Sequence, residues 1–324
     1  MKEFFKMYPL SPYGAMISAA LILWLFVSLK SAKPLKKQKS AKLTHSALIA
    51  LFAFSVPVGF VFSRLLWCVS NYQDYLMNPA SIYKVWEGGL SLWGFILGFW
   101  LTSILYSKHI GVSGAYALDA FAVGLPLFIC ILRLSEVFTG QGVGRIITYD
   151  FLINPVFTVY DIHGEARFSM YRLESVYALI LFIVMCVRFK KYPRKNTNAR
   201  GDLWRYAVGA YAMAQIVFES MREDDYMRFG FVRVSQALAI LILLIFAFFY
   251  VARLKKSGLL KLHFLWMIPL TLIGAALTIY QEFMVDAALH TEKEHLIMFL
   301  GAFLLFAPSL FSIKKISKRK KKAR

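Results

Sequence analysis

The feature that most constrains this chain is a series of apolar runs, each about as long as a lipid bilayer is thick. Nine stretches qualify, at about 14–30, 45–67, 87–107, 116–134, 171–188, 203–221, 232–252, 264–283 and 294–312. A bilayer core of about 30 Å takes roughly 20 residues of helix to cross. A helix also satisfies its own backbone there, which an open sheet does not. The expected fold is therefore an all-α polytopic membrane protein with about nine transmembrane helices. Composition agrees: 59% of the 324 residues are hydrophobic and 17% charged, against about 45–50% and about 25% in soluble domains.

The net charge of +20 resembles a nucleic-acid signal only until the charges are placed. They fall in short blocks between apolar runs, which excludes nucleic acid as the expected partner. Lys30 to Lys42, Arg188 to Arg205, Arg253 to Lys261 and the tail Lys314–Arg324 are basic. Cytoplasmic connections carry such an excess, so the N-terminus is expected outside and the C-terminus inside. Of 18 acids, only Asp202 lies in one of these basic connections. The first run has no small-residue cleavage site after it and reads as an uncleaved span. The tail, 314–324, reads as an anchor on anionic lipid.

One outer connection, 135–170, is long enough to be a small extracytoplasmic head. Short strands are expected at Arg145–Asp150, Val156–Asp161 and Ala166–Met170, with a turn at His163–Gly164. Cys68, Cys130 and Cys186 lie in apolar runs without metal or disulfide spacing. The six histidines are isolated, so neither a metal site nor a cofactor is expected.

Charges inside membrane spans cost at least about 2.5–3.5 kcal/mol near the centre and mark functional candidates. Arg64 ends the second span. Asp119, Pro126 and Arg133 recur at seven-residue spacing on the fourth, and Glu136 follows on the same face. On the sixth, Tyr211, Gln215, Glu219 and Arg222 form one stripe. Its flanks are apolar, so the stripe is expected to face the bundle interior. Two arginines and two glutamates near the outer leaflet suit an anionic head group, since a guanidinium matches phosphate oxygens. Glycines 88, 89, 94 and 98 allow close approach of a helix or a ligand, and Gly140, Gly142 and Gly144 lie between Arg133 and Arg145.

Taken together, these segments resemble the prolipoprotein diacylglyceryl transferase family over about residues 8–252. The resemblance rests on Tyr13-Gly14, Ser63-Arg64-Leu65, Asn78-Pro79, Trp86-Glu87-Gly88-Gly89-Leu90-Ser91, Asp119, the run Arg133 to Gly144, Glu174, the stripe from Tyr211 to Arg222, and Ser235-Gln236-Ala237-Leu238. The Trp86–Ser91 run is its most specific piece. The resemblance implies a multi-pass protein of the bacterial plasma membrane. It implies transfer of a diacylglyceryl group from phosphatidylglycerol to the lipobox cysteine of a prolipoprotein signal peptide. Candidate catalytic residues are Arg133, Glu136, Tyr211, Glu219 and Arg222. Candidate lipid-binding residues are Tyr13, Arg64, Gly88, Gly89, Trp93, Gln141, Gly144 and Gln215.

Several positions depart from the family pattern. Trp93 stands for its histidine, Glu136 and Thr139 for asparagines, Gln141 for a glutamate and Gln215 for an arginine. Two other functions therefore stay open: the same lipid with another acceptor, or non-catalytic binding of lipid or signal peptide. The expected organisation is a seven-helix core over 1–252, with the head at 135–170. Two additional helices follow in 253–313, and then the tail. Between those two helices the segment Gln281–His295 is acidic, and Glu282 and His295 are the residues there able to supply a missing group.

Overall fold

A computed structural model describes residues 12–35, 43–84, 88–147, 150–161, 163–191, 201–224, 227–229, 232–256, 258, 265–287 and 292–322. Among these, nine helices have 18–31 residues. They are α1 (Pro12–Leu35), α2 (His45–Ser70), α3 (Leu92–His109), α4 (Gly114–Ser135), α5 (Met170–Lys191), α6 (Asp202–Met221), α7 (Val234–Lys256), α8 (Met267–Ala287) and α9 (Glu292–Lys322). Seven are long and apolar enough to cross a membrane. The other two, α3 and α6, lie in the expected stretches; α6 carries the polar stripe. The chain is an all-α polytopic membrane protein. Residues 314–322, expected as a tail, continue α9 as helix.

The helix α4 is the centre of the bundle. Of its apolar window 78% is buried, against 28–44% in the other six membrane-length helices. Lipid tails are as apolar as leucine, so such bundles are held by close packing and by polar contacts more than by hydrophobic burial. Two devices are visible. Trp24 on α1 sits among Phe52, Phe99 and Phe128 with centroids 4.6–5.2 Å apart and donates its indole N–H to the Phe121 carbonyl at 2.8 Å. Gly94 on α3 meets the backbone of α2, where an added Cβ would lie 2.5 Å from the Phe62 carbonyl oxygen.

Asp119 has a structural task. Its carboxylate accepts the backbone N–H groups of Gly201, Leu203 and Trp204 at 2.8–3.2 Å. It thus caps the start of α6 from a neighbouring helix, where the helix dipole favours a negative group.

Residues 143–169 hold three short strands, the first of them earlier than the expected Arg145–Asp150, where Asp150–Leu152 instead forms a 3-10 turn. Strands β1 (Val143–Ile146), β2 (Thr158–Tyr160) and β3 (Ala166–Ser169) make an antiparallel sheet in the order β1-β3-β2. The turn before β3 is built by Asp161, whose Oδ1 accepts the N–H groups of His163 and Glu165 at 2.8 and 3.0 Å. Its Oδ2 accepts from Arg167 Nε at 2.7 Å. That hydrogen bond from Arg167 leads the causes that hold the Asp161 carboxyl down at about 2. A second ribbon, β4 (Arg228–Phe229) with β5 (Val232–Arg233), precedes α7.

Candidate active site

The end of α4, the start of α5 and the end of α6 bring three buried acids and the half-buried Asp224 around two buried arginines. Arg133 ends α4 and is 4% exposed. Its Nη1 donates to Glu136 Oε1 at 2.5 Å, and its Nε lies 2.7 Å from Glu174 Oε2. Its Nη2 donates to the Tyr211 hydroxyl at 3.0 Å and reaches Gln215 Oε1 at 3.5 Å. Tyr211 in turn donates to Glu174 Oε2 at 3.2 Å.

Arg222 follows α6 and is fully buried. It holds Asp224 with two parallel bonds, Nε to Oδ1 at 3.0 Å and Nη2 to Oδ2 at 2.7 Å. Its Nη1 lies 3.4 Å from Glu174 Oε1 and 3.7 Å from Glu136 Oε2. Burial works to raise the Asp224 carboxyl, but the hydrogen bond and charge of Arg222 hold it below the usual range. Asp224 also accepts the Gly142 N–H at 2.8 Å, and Gly144 pairs with Arg222 as a backbone bridge. The head is thereby fastened to the end of α6.

On the stripe, Gln215 Nε2 donates to Glu219 Oε1 at 2.6 Å, and Glu219 Oε2 has no hydrogen-bond partner among the described residues. Glu136 Oε2 likewise has none, though it faces Arg222. Unpartnered buried carboxylate oxygens are costly and are positions where a proton or a ligand can be received.

A cavity of about 710 Å³ opens beside this network, a size typical of small-ligand sites. Its apolar side is formed by Ile17, Phe60, Phe95, Phe128 and Leu132, and its polar side by Tyr13, Gly88, Gly89, Arg133, Glu136 and Gln141. An apolar side for acyl chains and a charged rim for a head group suit a phospholipid.

A family model for prolipoprotein diacylglyceryl transferase matches residues 3–252. The chain belongs to that family. A phosphatidylglycerol–prolipoprotein diacylglyceryl transferase of Streptococcus equi subsp. equi is 26% identical over 258 residues, covering 79% of this chain and 96% of the relative. One from Listeria monocytogenes is 25% identical, covering 72% and 82%. Another from Oceanobacillus iheyensis is 25% identical, covering 75% and 84%.

The residues singled out from the sequence divide into three groups. Tyr13, Gly88, Gly89, Arg133, Glu136 and Gln141 line the cavity. Tyr211, Gln215, Glu219 and Arg222 lie behind its wall, joined to it through Arg133 and Glu136. Trp93 and Gly144 support: Trp93 is buried with its ring 5.8 Å from that of Tyr211, and Gly144 takes part in the bridge to Arg222.

Arg64 is placed differently from a head-group ligand. Its guanidinium donates to the carbonyls of Ser81, Ile82, Lys84, Gly88 and Gly89 at 2.6–3.3 Å. Two of these acceptors, Gly88 and Gly89, line the cavity, so Arg64 holds that part of its wall in place. Gly89 is required beside it, since its φ is +71° and a Cβ would lie 2.6 Å from Arg64 Nη1. Trp86 and Glu87 lie outside the described residues.

Glu174 and Asp224 were not singled out as site residues. Glu174 is a lone acid in the first turns of an apolar helix, and Asp224 is one of several acids after α6. The sequence carries two signals for Glu174, its place in the family resemblance and its being an acid at the start of a membrane helix.

Proposed function

We propose that this chain transfers the diacylglyceryl group of phosphatidylglycerol to the cysteine thiol of a lipobox signal peptide, at the outer face of the bacterial plasma membrane. The observation that carries this reading is the pairing of Arg133 with Glu136 on the rim of a largely apolar cavity, in a chain of this family. The N-terminus is outside and the C-terminus inside. In support, the cavity lies at one end of the bundle, while Lys190, Lys191, Arg253 and Lys256 end helices at the other. The core is 1–252 with its head at 135–170. The helices within 253–313 are an addition, and 314–324 is a polybasic cytoplasmic segment.

The chemistry follows from the two rim groups. The Glu136 carboxylate, whose Oε2 accepts no hydrogen bond among the described residues although it lies 3.7 Å from Arg222, takes the thiol proton, because the thiolate is the nucleophile. The sulfur attacks the glycerol carbon that carries the phosphoester. A thioether C–S bond forms as that C–O bond breaks, and glycerol phosphate leaves with the electron pair. Arg133 faces the leaving phosphate, where a fixed guanidinium stabilises developing charge in a dry site. Tyr211, Glu174 and Arg222 do not reach the cavity; they fix the direction of Arg133 and Glu136.

Complementation tests the reading. Expression in a bacterium depleted of its own transferase is expected to restore palmitate labelling of lipoproteins, and the Arg133→Ala variant is expected not to. A wild-type chain that reaches the membrane in normal amount and restores no labelling would overturn it.

A further inference from the structure

The family match ends at residue 252, yet α8 and α9 are built into the bundle beside the site. Phe306 of α9 packs onto Gly209 of α6, where an added Cβ would lie 2.5 Å from its ring. Gly274 and Gly301 bring α8 and α9 into backbone contact, a Cβ on Gly274 falling 2.7 Å from the Gly301 carbonyl oxygen. At the site end, the Ser220 hydroxyl lies 3.4 Å from His295 Nε2, and Arg145 bridges the carbonyls of Ser220 and Val285.

The most direct link is through Glu282 on α8. Its Oε2 accepts from Gln236 Nε2 at 2.9 Å, and its Oε1 lies 3.9 Å from Arg233 Nε. Arg233 is 3% exposed. Its Nη2 donates to the Arg222 carbonyl at 2.5 Å and its Nη1 to the Asp224 carbonyl at 3.5 Å. Gln236 also donates to the Ile216 carbonyl at 3.1 Å, one turn before Glu219. Among the described residues Glu282 is the carboxylate within ion-pair reach of the Arg233 side chain, with Glu219 and Asp224 as the other acids that act on it, and Arg233 grips the backbone of both partners in the Arg222–Asp224 pair. A buried guanidinium that loses its ion-pair partner shifts toward the opposite charges that remain, here Glu219 and Asp224, and the Arg222 segment it holds shifts with it.

We propose that Glu282, outside the family core, is a positioning residue: through Arg233 it holds the Arg222–Asp224 segment in the register that orients Glu136 and Arg133. This rests on the transferase reading above. Neither α8 nor Glu282 reaches the cavity, so its role is indirect.

The test uses the intact chain in detergent or vesicles, with phosphatidylglycerol and a synthetic lipobox peptide. Glu282→Gln is expected to lower kcat about 10- to 100-fold, the scale of a small misplacement of reacting groups, with KM for the lipid within about twofold. Hydrogen exchange is expected to rise in residues 220–236 alone. Glu294→Gln, on the same hairpin, is expected to leave both readouts unchanged. If Glu282→Gln fails to fold, Arg233→Lys is expected to give the same signature, since a lysine cannot grip both carbonyls. Unchanged kcat in the folded variant overturns the proposal. So does a loss of exchange protection spread evenly over all nine helices, which is the mark of a merely structural part. If wild type shows no transfer while the local exchange rise is present, the transferase reading falls and the Glu282–Arg233 link stands.

Discussion

Replacing Glu136 with glutamine separates the chemistry proposed here from stability. The change removes one negative charge and keeps the shape. Arg133 loses a charge-assisted contact of 2.5 Å but retains Glu174 at 2.7 Å and the Tyr211 hydroxyl. Arg222 loses only a long contact of 3.7 Å and keeps Asp224. A charge-assisted hydrogen bond contributes about 1.5–3 kcal/mol, and the amide oxygen recovers part of it. The expected loss of stability is therefore about 1–2 kcal/mol, and the bundle stays folded. The loss in rate is expected to be larger, because a general base contributes about 10²–10⁴-fold. Transfer of a labelled diacylglyceryl group from phosphatidylglycerol to a lipobox peptide, followed across pH, measures both. At neutral pH kcat is expected to fall at least about 100-fold. The variant should regain rate as pH rises toward the thiol's own pKa of about 8.5, where the base is no longer needed. A folded Glu136→Gln variant with kcat within about threefold of wild type at neutral pH would refute the assignment of the base, because even the weakest general base is worth far more.

Other substitutions probe the frame of the site. Arg64→Ala takes a charged donor away from five carbonyls; limited proteolysis between residues 78 and 91 is expected to accelerate about tenfold or more, one such contact being worth more than the 1.4 kcal/mol of a tenfold change. Gly89→Ala meets both a positive φ and the Arg64 and Trp67 side chains, while Gly140→Ala meets a positive φ in open space. Thermal melts are expected to show about 1–2 kcal/mol lost at Gly140 and clearly more at Gly89. The Asp161 carboxyl, held at about 2 by Arg167 against an ordinary value of 3.8, contributes stability above its unfolded pKa. That contribution is lost as pH falls from about 4 through about 2. Hydrogen exchange in residues 158–169 is expected to speed up over that window in wild type, and Asp161→Asn to remove the pH dependence.

The sequence by itself determined the membrane class, the sites of the long helices and the positions of the unusual charges. Each of these is written along one dimension: the length of an apolar run, the block of lysines that follows it, the four-residue spacing from Tyr211 to Glu219. It also brought forward Arg133 and Glu136, one turn apart, which tertiary contacts place on the cavity rim. What those charges meet was decided by helices far apart in the chain. The same buried arginine on paper becomes a rim group at Arg133, a sealed half of an ion pair at Arg222 and a clamp on five carbonyls at Arg64. Asp119 caps a helix whose N-cap, Gly201, comes 82 residues later, and Glu282 answers a guanidinium on the ribbon before α7. A buried charge must find its counter-charge or hydrogen-bond partners wherever the fold supplies them. Spacing fixes only which side chains share a face. Packing fixes which partner faces them, and that pairing separates a ligand-binding group from a strut.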